Sequence, residues 1–408
     1  MFSHFTMDEG SNHQHFLQRK TIIVAGGGIA GSAFVVGLRK LWSPRLEEPR
    51  IVIYDRDSPD VSAQREGYTV SLAGYDTSGG LIALNKLGLL KQTLNKAVSG
   101  LNNEGAFKIW GPNWNEQACF RHKPLDGLPS SSIRITRKDL RQVLQDNLRL
   151  EDSVQWNSRC IAVRQLKNGQ LSVQVVRGKP GFEVISEEIC DILIAADGAN
   201  SKLREYLRPS DKLEFAGAIL RGGISRFEGP PPTPVDKDWG FMLSGTGVSC
   251  FFSPVDKQSI VWGVGTLETE QIPSLDENDD EAKQEVIECC RRLGAILHEP
   301  FNTILRHTDL KTVFSMNAHD KMPFSHEDMI KEGVVFIGDS NHAVSPFAGY
   351  GANLALSDAW DLAEQFCSSS SMEYAIAAYD GLSLPRARKV LESSRERLKI
   401  GHRKGIEL

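Results

Sequence analysis

Short apolar runs separated by polar segments organise the first part of the chain. Thr21–Ala25 and Ile51–Tyr54 are runs of the kind that form strands buried on both faces of a sheet. Between them, Ser32–Leu41 has the pattern of a helix. A strand, a helix and a second strand within about 30 residues predict a βαβ unit with two parallel strands.

Strand patterns continue through the middle of the chain. From Ile161 to Val176, two alternating runs flank Asn168-Gly169, a dipeptide that favours a tight hairpin turn. Ile189–Ala196 and Val334–Ile337 are further apolar runs that predict buried strands, and the segment from Phe215 to Thr266 is rich in strand-forming residues. These patterns predict an α/β chain with a second, mostly β region.

Helical patterns occupy much of the remainder. The acidic stretch Asp276–Glu281 is typical of the first turn of a helix, which is predicted to run to Leu293. Leu354–Phe366 places small and apolar side chains on one face, and the chain from Met372 onward is helical in pattern with one polar side. Residues 1–20 are polar without periodicity and are expected to form a flexible leader.

Composition and charge exclude several classes of partner. With 408 residues, 40% of them hydrophobic and 24% charged, the chain has the composition of a globular enzyme with two lobes. The formal net charge is -5 and the sequence has no run of Lys and Arg of the kind that follows a phosphate backbone, so nucleic acid is not an expected partner. It has no apolar stretch of the roughly 20 residues that span a membrane and no secretory signal, so a cytoplasmic protein without a membrane anchor is expected.

A glycine-rich turn follows the first strand directly. Gly26, Gly28 and Gly31 have G-x-G-x-x-G spacing. Glycine lets such a turn close and lets a pyrophosphate approach the backbone, while the N-terminus of the following helix supplies free N–H groups. Asp55 ends the second strand, where its carboxylate can accept hydrogen bonds from a ribose diol. Together these features predict a dinucleotide site; a purely structural glycine turn is the alternative.

The last predicted strand ends in a second carboxylate. Val334–Ile337 is followed by Gly338-Asp339, and a glycine-rich segment from Pro346 to Asn353 leads into the helix predicted at Leu354. Backbone N–H groups at the start of that helix can meet a flat anionic ring edge, such as the N1–C2=O edge of a reduced flavin. The segment therefore indicates FAD rather than NAD as the bound dinucleotide.

Three motifs in this order carry a family resemblance. They are the glycine turn with Asp55, the sequence Asp197-Gly198-Ala199-Asn200, and Gly338-Asp339 with the glycine-rich segment after it. With them the chain resembles the class A flavoprotein monooxygenases of the para-hydroxybenzoate hydroxylase fold, and within that group the tetracycline-inactivating monooxygenases and their fungal secondary-metabolism relatives. One departure is Ser340-Asn341, where the family has two small apolar residues, so the local packing there is in doubt.

The resemblance implies a discontinuous α/β fold. It would consist of a Rossmann-like FAD-binding domain of the GR2 type, an inserted mostly β substrate domain and a C-terminal helical segment. After a leader at 1–20, the expected boundaries are 21–95, 126–210 and 315–365 for the FAD-binding domain, 96–125 and 211–314 for the substrate domain, and 366–408 for the C-terminal helical segment.

The resemblance also implies the reaction. NADPH or NADH would visit transiently, without a Rossmann domain of its own, and reduce the flavin. O2 would then form a flavin C4a-hydroperoxide that hydroxylates or epoxidises an electron-rich aromatic or polycyclic small molecule. A monomer or weak homodimer is expected. The alternatives are a reductase or oxidase on the same fold, and a non-catalytic binding protein on this scaffold.

Cofactor contacts follow from the resemblance at matching positions. Arg137 comes directly after Thr136, whose spacing to Asp139 predicts a capping box, so Arg137 is expected on the first turn of a helix beside the flavin. The complete set of expected FAD-binding residues is Gly26, Gly28, Ile29, Ala30, Gly31, Asp55, Arg56, Arg65, Arg137, Asp197, Gly198, Arg204, Asp339, Pro346, Gly349, Gly351, Ala352 and Asn353.

Substrate contacts are expected in the strand-rich middle segment. Arg221 is a charged residue in an otherwise apolar strand, on the face predicted for Phe215, and a buried charge needs a partner. It either anchors a phenolate, enolate or carboxylate of the substrate or pairs with a nearby acid. The expected walls of an aromatic pocket, which could also be ordinary core, are Met242, Phe251, Trp262 and Phe347. The sequence has no evident metal-ligand cluster or Ser/His/Asp set.

Overall fold

The computed structural model describes residues 15–59, 68–179, 181–327, 329 and 333–405. Its first residues pack on the body of the protein: Leu17 is fully buried, and the rings of Phe16 and Phe366 meet edge to face at 5.8 Å. The expectation of a flexible leader is therefore wrong for residues 15–20, because two apolar side chains give them a place in the core. Residues 1–14 lie outside the described residues.

A five-stranded parallel sheet forms the first part of the fold. Side chains of its central strand alternate, since Ile22 and Val24 face one core whereas Ile23 and Ala25 face a second core on the other side. The sheet is therefore the middle of three layers. Its strands, in sheet order, are β17 (Val334–Phe336), β11 (Ile192–Ala195), β1 (Thr21–Ala25), β2 (Arg50–Tyr54) and β7 (Val154–Gln155).

Helices cover one face of this sheet. Thr136 caps one of them, because its hydroxyl oxygen accepts a hydrogen bond from the N–H of Asp139 at 3.0 Å, as the capping-box spacing predicts. The helices predicted to start at Ser32 and Leu354 begin earlier, at Ile29 and Gly351, because glycines interrupt the apolar periodicity at those starts. The helices of this layer are α1 (Ile29–Leu41), α2 (Gly80–Leu87), α3 (Leu90–Leu94), α4 (Arg137–Gln145) and α9 (Gly351–Ser368).

A three-stranded antiparallel sheet covers the other face. It consists of β8 (Ser158–Gln165), β9 (Leu171–Arg177) and β10 (Val184–Cys190), and the predicted hairpin at Asn168-Gly169 is confirmed. The single strand predicted over Ile189–Ala196 is wrong, because β10 ends at Cys190 and β11 lies in the parallel sheet. Asp191 stands between them and accepts a hydrogen bond from the N–H of Thr21 at 2.8 Å.

A seven-stranded sheet forms the second part of the fold. The expected domain boundary between 314 and 315 falls inside its first strand, so this sheet extends beyond that boundary. In sheet order the strands are β16 (Phe314–Asp320), β12 (Glu214–Arg226), β15 (Ser259–Leu267), β14 (Val248–Pro254), β13 (Trp239–Leu243), β4 (Phe107–Trp110) and β5 (Glu116–Phe120). The helices α6 (Asp280–Leu293) and α7 (Phe301–Arg306) pack on one face of it.

Two further elements connect the parts. A two-stranded antiparallel ribbon is formed by β3 (Thr69–Ala73) and β6 (Ser132–Thr136). The remaining helices are α5 (Lys202–Leu207), α8 (Asp339–His342) and the long C-terminal α10 (Met372–Gly401). Within the described part of the chain, we find no helix with the length and hydropathy that crossing a membrane requires.

Candidate functional site

A cavity of about 1460 Å³ opens where the parallel sheet meets the seven-stranded sheet. Its wall includes residues that follow the carboxyl ends of β1, β11 and β17, together with residues of the β3–β6 ribbon and of β4, β13, β14 and β15. Ligands of parallel α/β sheets bind at this edge. The volume exceeds the roughly 300–1,000 Å³ of a pocket for one small molecule. The cavity therefore has room for a dinucleotide and a second ligand.

The three glycines of the first motif have different surroundings. Gly26 has a φ of +111°, and a Cβ there would lie 2.2 Å from the carbonyl oxygen of Ala196, so only glycine allows β1 and β11 to approach this closely. A Cβ on Gly31 would lie 2.0 Å from the oxygen of Gly26, which makes Gly31 a packing residue. Gly28 faces open space, and the first residues of α1 line the cavity with it.

The carboxylate at the end of β2 holds the glycine turn. Asp55 accepts hydrogen bonds from the backbone N–H groups of Gly27 and Asp57, each at 2.9 Å. Burial raises the pKa of Asp55, and these two hydrogen bonds oppose that rise. Arg56 is half exposed and pairs with Asp57 at 3.8 Å. The ribose contact of Asp55 and the cofactor contact of Arg56 stay predictions; Arg65 lies outside the described residues.

Arg204 joins the second motif to the third. Its buried guanidinium donates to the carbonyl oxygens of Ala199 at 2.5 Å and Ser340 at 2.7 Å. Asp197 accepts from the N–H of Lys202 at 2.9 Å and so satisfies the first turn of α5. Both side chains stand behind the cavity wall, where they fix the backbone that forms it.

The two polar residues of the third motif that depart from the family pattern are fully satisfied. The Ser340 hydroxyl donates to the carbonyl oxygen of Ala195 at 2.6 Å. The Asn341 amide accepts from the N–H of Phe324 at 3.0 Å and donates to its carbonyl at 3.1 Å. Both side chains are fully buried, so the departure adds hydrogen bonds without opening the packing.

Asp339 faces the cavity at the end of β17. Burial raises the pKa of Asp339, while the charges of His342 and Arg137 oppose the rise. Among the described residues, no N–H or O–H donates to this carboxylate, which lies at the cavity surface. Arg137 lines the same wall from the first residue of α4, as its motif predicts. A ligand hydroxyl is the donor that this arrangement fits.

A buried network behind Asp339 fixes the turn that carries it. The carboxylate of Asp358 accepts from the N–H of Gly338 at 2.9 Å, from Nε2 of His342 at 2.6 Å, and from Ser383 and Arg386 at 2.9 Å each. Burial alone would raise the pKa of Asp358, but the charges of His342 and Arg386 hold it well below its usual range. His342 is thus a hydrogen-bonding residue of the core.

One side chain anchors the start of α9. The amide oxygen of Asn353 accepts from the N–H groups of Ala73 and Gly80, each at 2.8 Å, and its nitrogen donates to the carbonyl of Ser71 at 2.9 Å. The helix begins at Gly351 with neither a side-chain cap nor an acidic residue in its first turn. Its first N–H groups have no partner within the helix and lie at the cavity wall.

The expected cofactor residues thus fall into two groups. Those that line the cavity are Gly28, Ile29, Ala30, Arg137, Gly198, Asp339, Pro346, Gly349, Gly351, Ala352 and Asn353. The described ones that do not line it are Gly26, Gly31, Asp55, Arg56, Asp197 and Arg204.

Two of the four expected aromatic-pocket residues have their side chains elsewhere. Phe251 and Phe347 line the cavity. Met242 is fully buried on the opposite face of the seven-stranded sheet, among the residues that pack on α6 and α7. Trp262 belongs to the wall, but its side chain is fully buried in the same cluster as Met242, and its indole N–H donates to Thr308 at 3.1 Å.

Arg221 does not line the cavity, whereas its neighbour Leu220 does. The guanidinium donates to the hydroxyl of Thr266 at 3.2 Å. The pairing of β12 with β16 shifts by two residues between Phe215 and Ile219, which keeps the alternation of side chains. Arg221 and Phe215 pair with Ser315 and His319 and therefore share a face, as predicted.

Several cavity residues were not predicted from the sequence. Phe241 contacts Phe251 at 5.2 Å and Phe107 at 5.9 Å between ring centroids, so these rings form a continuous aromatic wall. The alternation of side chains along β13 could have found Phe241, since it points away from Met242. Arg134 and His402 also line the cavity, but no sequence motif marks either residue.

Comparison with known proteins agrees with this site. The chain matches the FAD binding domain family over residues 64–394 and belongs to it. It is 39% identical over 392 residues to Monooxygenase cfoF of Aspergillus candidus, across 95% of this chain and 93% of that protein. It is 26% identical over 419 residues to the FAD-dependent monooxygenase nscC of Trichophyton tonsurans, across 96% of each. The chain is therefore a FAD-dependent monooxygenase by family.

Solved structures share the fold. Klebsiella pneumoniae HpxO complexed with FAD and uric acid superimposes with a TM-score of 0.71 at 18% identity, over 95% of this chain and 90% of that one. The tetracycline destructase Tet(51) gives a TM-score of 0.64 at 18% identity, over 93% and 91%. These similarities confirm the α/β fold that the three motifs imply.

Proposed function

We propose that the protein uses NADPH or NADH and O2 to hydroxylate or epoxidise an electron-rich aromatic or polycyclic small molecule. The observation that carries this proposal is one continuous cavity with two unlike halves. One half has two uncapped helix starts and the Asp339 carboxylate, and the other half is a wall of phenylalanine rings. The first half suits a dinucleotide and the second suits a flat apolar substrate.

The residues present fit FAD. The N–H groups at the start of α1 beside Gly28 suit its pyrophosphate, because a Cβ at Gly28 would otherwise fill that space. Asp339, which lacks a protein donor among the described residues, suits a hydroxyl of the ribityl chain. The start of α9 suits the polar edge of the ring system, with Arg137 on the same wall. Bound there, the flavin supplies hydride acceptance and the activation of O2.

The chain's own contribution is positioning and electrostatics. The positive end of α9 stabilises negative charge on a ring edge held against it. The rings of Phe241 and Phe251 orient a flat substrate and keep water away from it. No side chain needs to supply a nucleophile.

The purified protein tests the proposal directly. We expect a yellow protein whose oxidation of NADPH or NADH accelerates when polyphenolic compounds are added. A colourless protein that oxidises neither nucleotide with any substrate would contradict it. Oxidation that yields only hydrogen peroxide with every substrate would favour the alternative oxidase activity. Light scattering after size-exclusion chromatography tests the proposed monomer or weak homodimer.

A further inference from the structure

Arg134 is a buried cation in the wall of the cavity. It lies on β6, is 3% exposed and projects from the ribbon towards β14 of the seven-stranded sheet. Its Nε donates to the hydroxyl of Ser253 at 2.8 Å, Nη1 to the hydroxyl of Ser71 at 2.7 Å, and Nη2 to the carbonyl and hydroxyl oxygens of Thr69 at 2.7 and 2.6 Å. All of these acceptors are neutral.

The charge of Arg134 has no counter-charge within the described part of the protein. Burial lowers the pKa of Arg134 to about 9, and no acid opposes that effect. The group is still a cation at neutral pH. A buried charge without an opposite charge is costly, so such groups normally pair with one.

Two largely buried arginines of this chain have carboxylate partners: Arg386 pairs with Asp358 and Asp361, and Arg39 pairs with Asp152. Arg204 donates to carbonyl oxygens, but the negative charges of Asp211 and Asp197 act on it. Arg134 differs from them in facing the cavity. A ligand in the cavity can therefore supply the negative charge that the described residues do not provide.

The position of Arg134 favours the substrate as that ligand. Ser253, which binds the guanidinium, belongs to the sheet that carries the aromatic wall. The guanidinium carbon lies over the ring of Phe251, 5.5 Å from the ring centroid, and Phe241 adjoins that ring. A flat molecule held against this aromatic wall would therefore have an acidic substituent within reach of Arg134. One Nη1–H also remains, because a guanidinium has five N–H groups and four are used here.

We propose that Arg134 selects substrates that carry an ionised acidic group, such as a carboxylate, an enolate or an acidic phenolate, on a flat aromatic system. This inference rests on the proposed function and names the substrate class for the same cavity. Arg134 would act in recognition, with its four neutral hydrogen bonds holding the guanidinium in place before the substrate arrives.

The test uses the FAD-loaded protein and a matched pair of probes. The probes are 1-hydroxy-2-naphthoic acid, which is anionic at neutral pH, and its neutral methyl ester. Binding is measured by the change that each causes in the flavin absorbance spectrum, so turnover is not needed. We expect wild type to bind the acid more tightly than the ester. Arg134→Gln should weaken binding of the acid roughly 10- to 100-fold and leave the ester nearly unchanged.

Two further variants separate charge from structure. Arg134→Lys keeps the positive charge and should keep the preference for the acid, which also covers the case in which Arg134→Gln does not fold. Arg121→Gln removes an exposed positive charge from the same cavity and should change the ratio of the two affinities less than about threefold.

Three results would overturn the inference. The first is a wild type that binds the acid no better than the ester, including failure of the acid to bind at millimolar concentration. The second is an equal loss of affinity for both probes in Arg134→Gln. The third is weaker retention of FAD by that variant, while the protein that still holds FAD keeps the preference for the acid. The last result would assign the charge to the cofactor. A protein that never binds flavin would instead contradict the proposed function itself.

Discussion

Among single residues, the carboxylates of Asp339 and Asp358 have different tasks. Asp339 faces the cavity and lacks a protein donor among the described residues, whereas Asp358 is fully buried and receives four hydrogen bonds. Asp339 is therefore available to a ligand, whereas Asp358 holds the turn at Gly338 that places Asp339 at the cavity.

Replacing Asp339 with Ala should weaken FAD retention. The loss of a hydrogen bond to a charged group is expected to cost about 1.5–3 kcal/mol, which is roughly 10- to 100-fold in the dissociation constant. Flavin fluorescence during titration of the apoprotein measures it. Asp309→Ala, which removes the partner of Arg226 on a different part of the surface, is the control. Unchanged flavin occupancy after dialysis of Asp339→Ala would refute the assigned role.

Replacing Asp358 with Asn should destabilise the protein by about 3–5 kcal/mol at neutral pH, because His342 and Arg386 lose a buried partner. The depressed pKa of Asp358 means that its contribution is present above the ordinary carboxylate range and is lost as the pH falls. The difference from wild type in the free energy of unfolding, measured in urea between about pH 6 and pH 3, should therefore shrink towards the acid end. A difference that stays constant over this range would contradict the ionised carboxylate.

At the scale of elements, the start of α9 depends on one amide. Asn353→Leu keeps the branched shape of the side chain but leaves the buried N–H groups of Ala73 and Gly80 without an acceptor, at about 1–3 kcal/mol for each. Asn353→Asp keeps both acceptor bonds and should lose less stability. Urea unfolding of the two variants compares them. Equal losses of stability in the two variants would mean that these two hydrogen bonds do not hold the start of α9 in place.

Elements bounded by local signals were predictable from the sequence, whereas a change from one sheet to another was not. The glycine turn, the hairpin at Asn168-Gly169 and the capped start of α4 each depend on neighbouring residues. The break at Asp191 is invisible in an apolar run, because strands of two sheets share the same composition.

The candidate site was predictable where backbone geometry demands glycine or a helix start. It was not predictable where side chains meet across distant strands. Arg134 and Ser253 are 119 positions apart, and no periodic pattern relates them. The same holds for His402, which reaches Ser249 at 2.9 Å.

At the scale of the whole molecule, α10 connects the two halves of the cavity. Ser394 bonds Ser345 near the glycine-rich segment at 2.9 Å, and His402, just after the helix, bonds Ser249 of β14. The ring of His402 also meets Phe347 edge to face at 5.5 Å. The end of the chain's last helix therefore closes one side of the cavity.

Replacing His402 with Ala should open this side to water. FAD content is expected to stay unchanged, while a larger share of the consumed NADPH yields hydrogen peroxide instead of product, because water exclusion protects the reaction. This share is the amount of hydrogen peroxide formed divided by the amount of NADPH consumed, and both amounts are assayed in the same reaction. His307→Ala, which removes a histidine outside the cavity wall, should behave as wild type. The same peroxide yield in both variants would remove the sealing role of His402.

The proposed reaction transfers one atom of O2 to an organic substrate held in the cavity. Turnover under 18O2 with NADPH and any accepted polyphenol, followed by mass spectrometry of the product, measures this transfer. We expect a product that has gained one 18O atom, with none from labelled water. A product without the label, or one labelled from water, would contradict it.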